Sequence, residues 1–313
     1  MELAVDSHCH LDIIYQKTRK QFETWNEFKQ LVHMDSWGGC VTNFCHPREW
    51  TSELLSRLQS VPNVKFTIGC HPNYASIFND STILRIEEIV AKDSLGKCVA
   101  IGECGLDLQK NDSSTLDRQK KVFKAQIGLA LRLKKTLVLH IRKAEREGLS
   151  VLDSMGVPAN YAIHRHCFNG SVEEYQTWMK RFPGSVIGIT NLIGYKGTQG
   201  LQNVVKTMAL DHLVLETDAP YFVPRQQMRL DQPVLQPLTT SWGESMSHPL
   251  HVINVAAKVA EIKGMPIMTI LEANKKNIAR IYNVRTRCLI DVHNFKIRNK
   301  EVTEQKAIIK FFK

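Results

Sequence analysis

Four histidines and two carboxylates are spaced so that they could do chemistry together. His8 and His10 form a His-x-His pair within Asp6-Ser7-His8-Cys9-His10, at the end of the apolar opening Leu3-Ala4-Val5. Side chains alternate along a strand, so residues two apart point the same way and both imidazoles share one face. That is half of a metal site. Glu103 closes the run from Val99, His140 stands near the end of Leu137–Ile141, His166 ends the run from Tyr161, and Asp218 follows Leu213–Thr217. Any one of these has an ordinary reading as a polar strand end; the weight lies in their recurrence. Four imidazoles and two carboxylates exceed what a single divalent ion needs and point to a two-metal site, with Glu103, from the middle of the series, able to bridge the ions.

The elements that must position these groups alternate short β-like runs with longer amphipathic segments. The runs are Leu3–His8, Gly39–Cys45, Val64–Gly69, Val99–Glu103, Leu137–Ile141, Tyr161–His166, Ser185–Ile189 and Leu213–Thr217. Helices are expected over Thr18–Met34, from Pro47 towards Gln59, over Ser81–Lys92, Thr115–Lys134, up to about Met155, and over Gly170–Arg181, Leu250–Lys263 and Ile267–Tyr282. Such alternation predicts parallel strands joined by right-handed helical crossovers, and eight units predict a closed TIM-type (β/α)8 barrel, one α/β domain over 1–283. Barrel chemistry sits at the C-terminal strand ends, where all six residues fall. The proline-rich stretch Phe222–His248 would lie over the barrel mouth, and connections this long are usually functional or disordered.

Composition is that of an ordinary globular chain of 313 residues, 43% hydrophobic and 23% charged. The opening lacks a basic stretch before an apolar one, and no run of ~18 apolar residues occurs, so neither a signal peptide nor a membrane span is expected and the protein is read as cytoplasmic or nuclear. The eight cysteines contain no Cys-x-x-Cys pair and read as buried free thiols. Of the formal charge of +10, +5 falls within 285–313, eight Lys/Arg against three Asp/Glu. The segment 284–313 is read as a short basic extension, either an arm that touches nucleic acid, a docked helix, or a solvated end.

Six short motifs in order resemble the signatures of the TatD family of metal-dependent nucleases, within the amidohydrolase-like barrels: Asp-Ser-His-Cys-His-Leu-Asp (6–12), Gly-Cys-His-Pro (69–72), Gly-Glu-Cys-Gly-Leu-Asp (102–107), His140-Ile-Arg142, His166-Cys-Phe-Asn-Gly170 and Glu216-Thr-Asp-Ala-Pro-Tyr221. Ile163–Phe168 and Asp218–Arg225 look closest to the animal branch of that family. The resemblance implies a nuclease acting on DNA, RNA or both, with 3′-to-5′ polarity. It implies His8, His10 and Asp218 around one ion, His140 and His166 around the other, Glu103 between them, and Asp218 taking the proton of the attacking water. Mg²⁺ or Mn²⁺ would support activity, and Zn²⁺ suits an imidazole-rich site. His71 and Arg142 are expected phosphate contacts, with helix capping or core packing as the alternative for His71. Tyr221 and Trp242 flank the mouth loop and are expected to stack on bases.

Some positions depart from the family pattern: Leu108 stands where an aromatic residue is common, Ser247-His248-Pro249 where asparagine-proline is usual, and Thr190-Asn191 where many relatives have Ser-Gly. These leave the ligand set intact and put substrate preference in doubt. His164 reads as a satisfied core histidine, and His33, His46, His212, His251 and His293 have no partner legible in sequence. Two other functions stay open on sequence alone: a binding protein that keeps the fold without turnover, and a hydrolase of a small amide or ester on the same barrel.

Overall fold

A computed structural model describes residues 4–18, 37–51, 55, 61, 63–109, 113–225 and 237–284. The strands are β1 (Ala4–Cys9), β2 (Trp37–Phe44), β3 (Val64–Ile68), β4 (Cys98–Asp107), β5 (Thr136–Arg142), β6 (Ile163–Arg165), β7 (Val186–Ile189) and β8 (Leu213–Leu215), hydrogen-bonded in that order and all parallel. Around them lie α1 (Leu11–Lys17), α2 (Asp80–Lys92), α3 (Leu116–Leu133), α4 (Glu145–Ser154), α5 (Val172–Arg181), α6 (Gln199–Thr207), α7 (Val252–Lys263) and α8 (Ile267–Ile281).

The sheet turns back on itself through groups from the two ends of the described chain. The Asp218 amide donates to the His8 carbonyl at 2.9 Å, and the His10 amide to the Ala219 carbonyl at 2.7 Å. The Asp6 carboxylate accepts from the Thr217 amide at 3.0 Å and from its hydroxyl at 2.5 Å. The expected eight-stranded barrel is therefore what the chain builds.

Strand alternation sorts the side chains. Leu137, Leu139 and Ile141 pack outward in the large core with Phe123 and Ile127 of α3, while Val138 belongs to a second cluster with Val5, Val41, Ala100, Val186 and Val214. Ile278 and Ile281 of α8 and the following Tyr282 complete this inner plug. Two residues along β5, on the same face as Val138, stands His140. The valine layer thus fills the barrel below and the polar groups occupy the layer above.

Several elements differ from expectation. Helix α1 begins directly after His10, seven residues before the helix expected over Thr18–Met34, whose remainder, 19–34, lies outside the described residues. After Pro47 the chain makes a 3-10 turn, Pro47–Glu49, and much of the helix expected beyond it lies outside the described residues. Helix α6 was not anticipated; Gly197 and Gly200 obscure its opening, although Leu201, Val204 and Val205 form a buried stripe. The mouth stretch carries a small antiparallel hairpin, β9 (Leu238–Thr239) and β10 (Ser245–Met246), while 226–236 and the basic segment from 285 lie outside the described residues. Among the described residues no helix is long and apolar enough to cross a membrane.

Candidate metal centre

Five of the six residues stand at or near the C-terminal ends of their strands and Glu103 stands within β4, all buried: His8 is 0% exposed, Glu103 2% and His166 1%, with His10, His140 and Asp218 below 10%. The two oxygens of Glu103 face different partners. Oε1 lies 3.1 Å from Nε2 of both His8 and His10, whereas Oε2 lies 3.2 Å from His140 Nδ1 and 3.6 Å from His166 Nε2. Asp218 spans the same divide, with Oδ1 3.2 Å from His10 Nε2 and 3.6 Å from His8 Nε2, and Oδ2 3.8 Å from His166 Nε2. The rings of His8 and His166 stack at 3.6 Å.

These distances fit a metal pair. Ligand atoms bound tetrahedrally at their usual lengths sit about 3.3–3.6 Å apart. The donor set, imidazole nitrogen with carboxylate oxygen, suits divalent first-row ions. His140 Nδ1 is buried, makes no hydrogen bond, and is aimed at the carboxylate. Three overlapping triplets, His8–His10–Glu103, His8–His166–Asp218 and Glu103–His140–His166, can each close on an ion.

The rings are held from behind. His10 Nδ1 lies 3.1 Å from the Asn43 carbonyl, and Asn43 is fixed by the Thr67 hydroxyl, which donates to its Oδ1 at 2.6 Å. Nδ1 of His166 lies 3.2 Å from Glu216 Oε1, and the other Glu216 oxygen lies 3.0 Å from His164 Nε2. His164 Nδ1 in turn meets the Tyr282 hydroxyl at 2.6 Å, so it is the partnered core histidine expected. Gly188 leaves room for Glu216, since a Cβ there would collide with the carboxylate. Nε2 of His140 lies 3.4 Å from Asp107 Oδ2. Asp107 and Glu216 lie within the family-like motifs but carry no expected role; their signal is parity, Glu216 two positions before Asp218 and Asp107 four after Glu103, beside Arg142 of β5.

Charge follows this packing. Burial opposes ionisation of Glu103, but the imidazoles around it, His166 and His8 first and then His10 and His140, outweigh it and hold the carboxyl well below its usual range. Glu216 is likewise lowered against its burial by His166 and His164. Burial, aided by the neighbouring His8, takes His166 down to about 4, and burial together with His140 keeps His71 well below an ordinary imidazole. Burial also works against a charge on His10, yet Asp218, Cys45 and Glu103 raise its pKa well above the usual value. Glu103 and Glu216 are thereby held as carboxylates and His166 and His71 as neutral rings, the states in which each offers lone pairs.

The remaining expected residues line the rim. His71 Nδ1 accepts from the Asn73 amide at 3.1 Å, capping the 3-10 turn Pro72–Ile77, while its Nε2 lies 3.9 Å from Glu103 Oε2 and its ring 4.2 Å from that of His140. It therefore caps and faces the site at once. The Arg142 guanidinium donates to the Cys167 carbonyl and, at 3.1 Å, to Asn169 Oδ1. Tyr221 is 45% exposed, edge-on to His10 at 6.0 Å, with Lys17 over its ring. Trp242 is 54% exposed on the β9–β10 turn and donates to Glu244 Oε2. His46, His212 and His251 all have partners: the Arg48 amide, the Tyr175 hydroxyl and the Ser247 hydroxyl.

Comparison with known proteins adds to this geometry. The family model described as TatD related DNase matches residues 5–283. The human 3′-5′ RNA nuclease TATDN2 is 32% identical over 283 residues, 90% of this chain but 35% of that protein, so the chain spans about a third of its length. The 3′-5′ ssDNA/RNA exonuclease TatD of Citrobacter rodentium is 30% identical over 237 residues, covering 75% of this chain and 83% of the relative. Among solved structures, the TatD homologue YJJV of Escherichia coli matches with a TM-score of 0.71 at 22% identity over 90% of this chain and 98% of its own. A hydrolase of the TatD family from Entamoeba histolytica matches at 0.75 and 18% identity, over 91% of this chain and 100% of its own.

Proposed function

Since the chain belongs to the TatD family of metal-dependent hydrolases, we propose that it is a nuclease that trims single-stranded DNA or RNA from the 3′ end. The observation that carries this reading is the divided carboxylate of Glu103, one oxygen 3.1 Å from His8 and His10 and the other 3.2 Å from His140 and 3.6 Å from His166.

His8, His10 and Asp218 would hold one divalent ion, His140 and His166 the second, and Glu103 both. Bound there, Mg²⁺, Mn²⁺ or Zn²⁺ would supply Lewis acidity to a phosphodiester oxygen and lower the pKa of water near it. The residues do the rest. Asp218 reaches both halves of the site with its two oxygens and is the group placed to accept a proton as the nucleophile forms. Glu216 fixes the His166 ring so that Nε2 points inward, and Asp107 does the same for Nδ1 of His140. His71 and Arg142 at the rim contact phosphate oxygens, and Tyr221 and Trp242 offer ring faces to bases.

The test is digestion of 3′- and 5′-end-labelled single-stranded DNA and RNA by metal-stripped protein to which Mg²⁺, Mn²⁺ or Zn²⁺ is returned. Metal-dependent shortening from the 3′ end, reduced in Glu103→Gln to the level of the metal-free control, is expected. Absence of cleavage with every metal, in folded and metal-loaded protein, would overturn the reading.

A further inference from the structure

The inner plug of the barrel takes small apolar side chains from six of its strands: Val5, Val41, Ala100, Val138, Val186 and Val214. At the same level β6 puts an imidazole. His164 is in register with Val138 on one side and Val186 on the other, and it is 0% exposed. Where a valine would pack, such a ring is costly unless both of its nitrogens are bonded. The partners at its two ends account for its presence.

One end faces the base of the barrel. Tyr282, the residue after α8, is 3% exposed, and its hydroxyl lies 2.6 Å from His164 Nδ1 and 3.4 Å from the Ser7 carbonyl. Burial, with the charges of Glu216 and Asp6 nearby, keeps this phenol protonated. At the shorter contact the hydroxyl donates to Nδ1, and a ring that accepts at Nδ1 carries its own proton on Nε2.

The other end faces the metal centre. His164 Nε2 lies 3.0 Å from Glu216 Oε2, and neither atom hydrogen-bonds elsewhere among the described residues. The second oxygen of Glu216 accepts from the Cys167 amide and lies 3.2 Å from His166 Nδ1. Glu216 is 0% exposed, so no solvent reaches its carboxylate. With Oε2 unpaired the group would turn or take up a proton, and it would no longer hold the His166 ring with Nε2 towards Glu103 and Asp218.

We propose that His164 is a positioning residue of the metal centre: held from the barrel base by Tyr282, it occupies the second oxygen of Glu216 and so fixes the ring of His166. The inference rests on the two-ion reading of the site. It adds a relay, Tyr282 to His164 to Glu216 to His166, that ties the end of α8 to the ligand after β6.

The test is metal binding, with no nucleic acid present. The full wild-type chain, stripped and titrated with Zn²⁺ against a chromophoric chelator, is expected to take up two ions. His164→Leu, which keeps the volume and removes the donor, should weaken one of them about 10–100-fold and shift the visible bands of the Co²⁺-loaded protein. His164→Gln, whose amide still donates to Glu216, should stay within about threefold of wild type with its bands in place. Tyr282→Phe, which loses only the hydroxyl, should weaken the same ion about 3–10-fold. In wild-type protein the ring ¹⁵N shifts of His164 should show the proton on Nε2 and a bare Nδ1.

Wild-type affinities in folded His164→Leu or, where that variant does not fold, in Tyr282→Phe would overturn the relay and leave the two-ion reading in place. Equal weakening in the Gln and Leu variants would make the ring a packing residue, and a proton on His164 Nδ1 would remove the link to Tyr282; either overturns the relay as well. A wild-type chain that takes up no ion would instead overturn the two-ion reading, and the relay with it.

Discussion

At the scale of single residues, the groups that matter most divide into those that meet a ligand and those that aim them. The first kind was legible in the sequence because each closes an apolar run: His8, His10, His140, His166 and Asp218 lie within two or three residues of a strand's end, and Glu103 follows Val99–Ile101 within the longer β4. Glu216 and Asp107 act through a neighbour, and nothing in their own spacing distinguishes an aiming carboxylate from a ligating one. Glu216 separates the two roles experimentally. Glu216→Gln keeps an acceptor for the Cys167 amide but no longer balances the two histidines it faces. Metal affinity in this variant, measured by chelator competition, should fall about 10–100-fold with the circular dichroism spectrum intact. An unchanged affinity would reduce Glu216 to a packing residue.

At the scale of elements, helix α8 does more than cover the barrel. The Asn274 side chain donates to the Val5 carbonyl at 2.8 Å and accepts from the Leu215 amide at 2.8 Å, bonding β1 and β8 to the same helix. Asn277, one turn later, donates to the carbonyls of Leu210 and Leu213. Asn274→Leu strands a buried carbonyl and a buried amide, and unfolding in urea should show a loss of about 2–6 kcal/mol. A midpoint equal to wild type would mean that the strands pair without the helix. The period of α8 was readable, since Ile270, Leu271, Asn274, Ile278 and Ile281 fall on one buried face. That its asparagines join two strands was not readable, because only the folded chain brings Val5 to Leu215. The start of α1 was missed for a related reason: the helix begins one residue after a ligand, and His10 gave no capping signal.

At the scale of the whole molecule, eight strands alternating with helices made the barrel legible, whereas the hydrogen-bonded seam between its first and last strands was not. The thiols report on the integrity of this body. All seven described cysteines are buried and free, and Cys98 is typical, pushed up by burial to about 12. A thiol both inaccessible and protonated does not attack a disulfide reagent. Native protein should therefore give no more than one fast-reacting thiol, that of Cys288, and all eight in denaturant. Several fast thiols in native protein would show that the barrel opens on the timescale of the reaction.

The seam also sets a timetable. His8 and His10 are made early, but the groups that complete their half of the centre, Thr217, Asp218 and Ala219, come more than two hundred residues later. At ordinary elongation rates that interval lasts about 10–40 seconds. During synthesis the unfinished chain hangs from a ribosome built of RNA and threaded by another, and until that interval ends the centre lacks Asp218 and the seam that holds His8 and His10 against it. A hydrolase whose reactive centre is its closing seam cannot cut anything until its eighth strand has been made and has met the first.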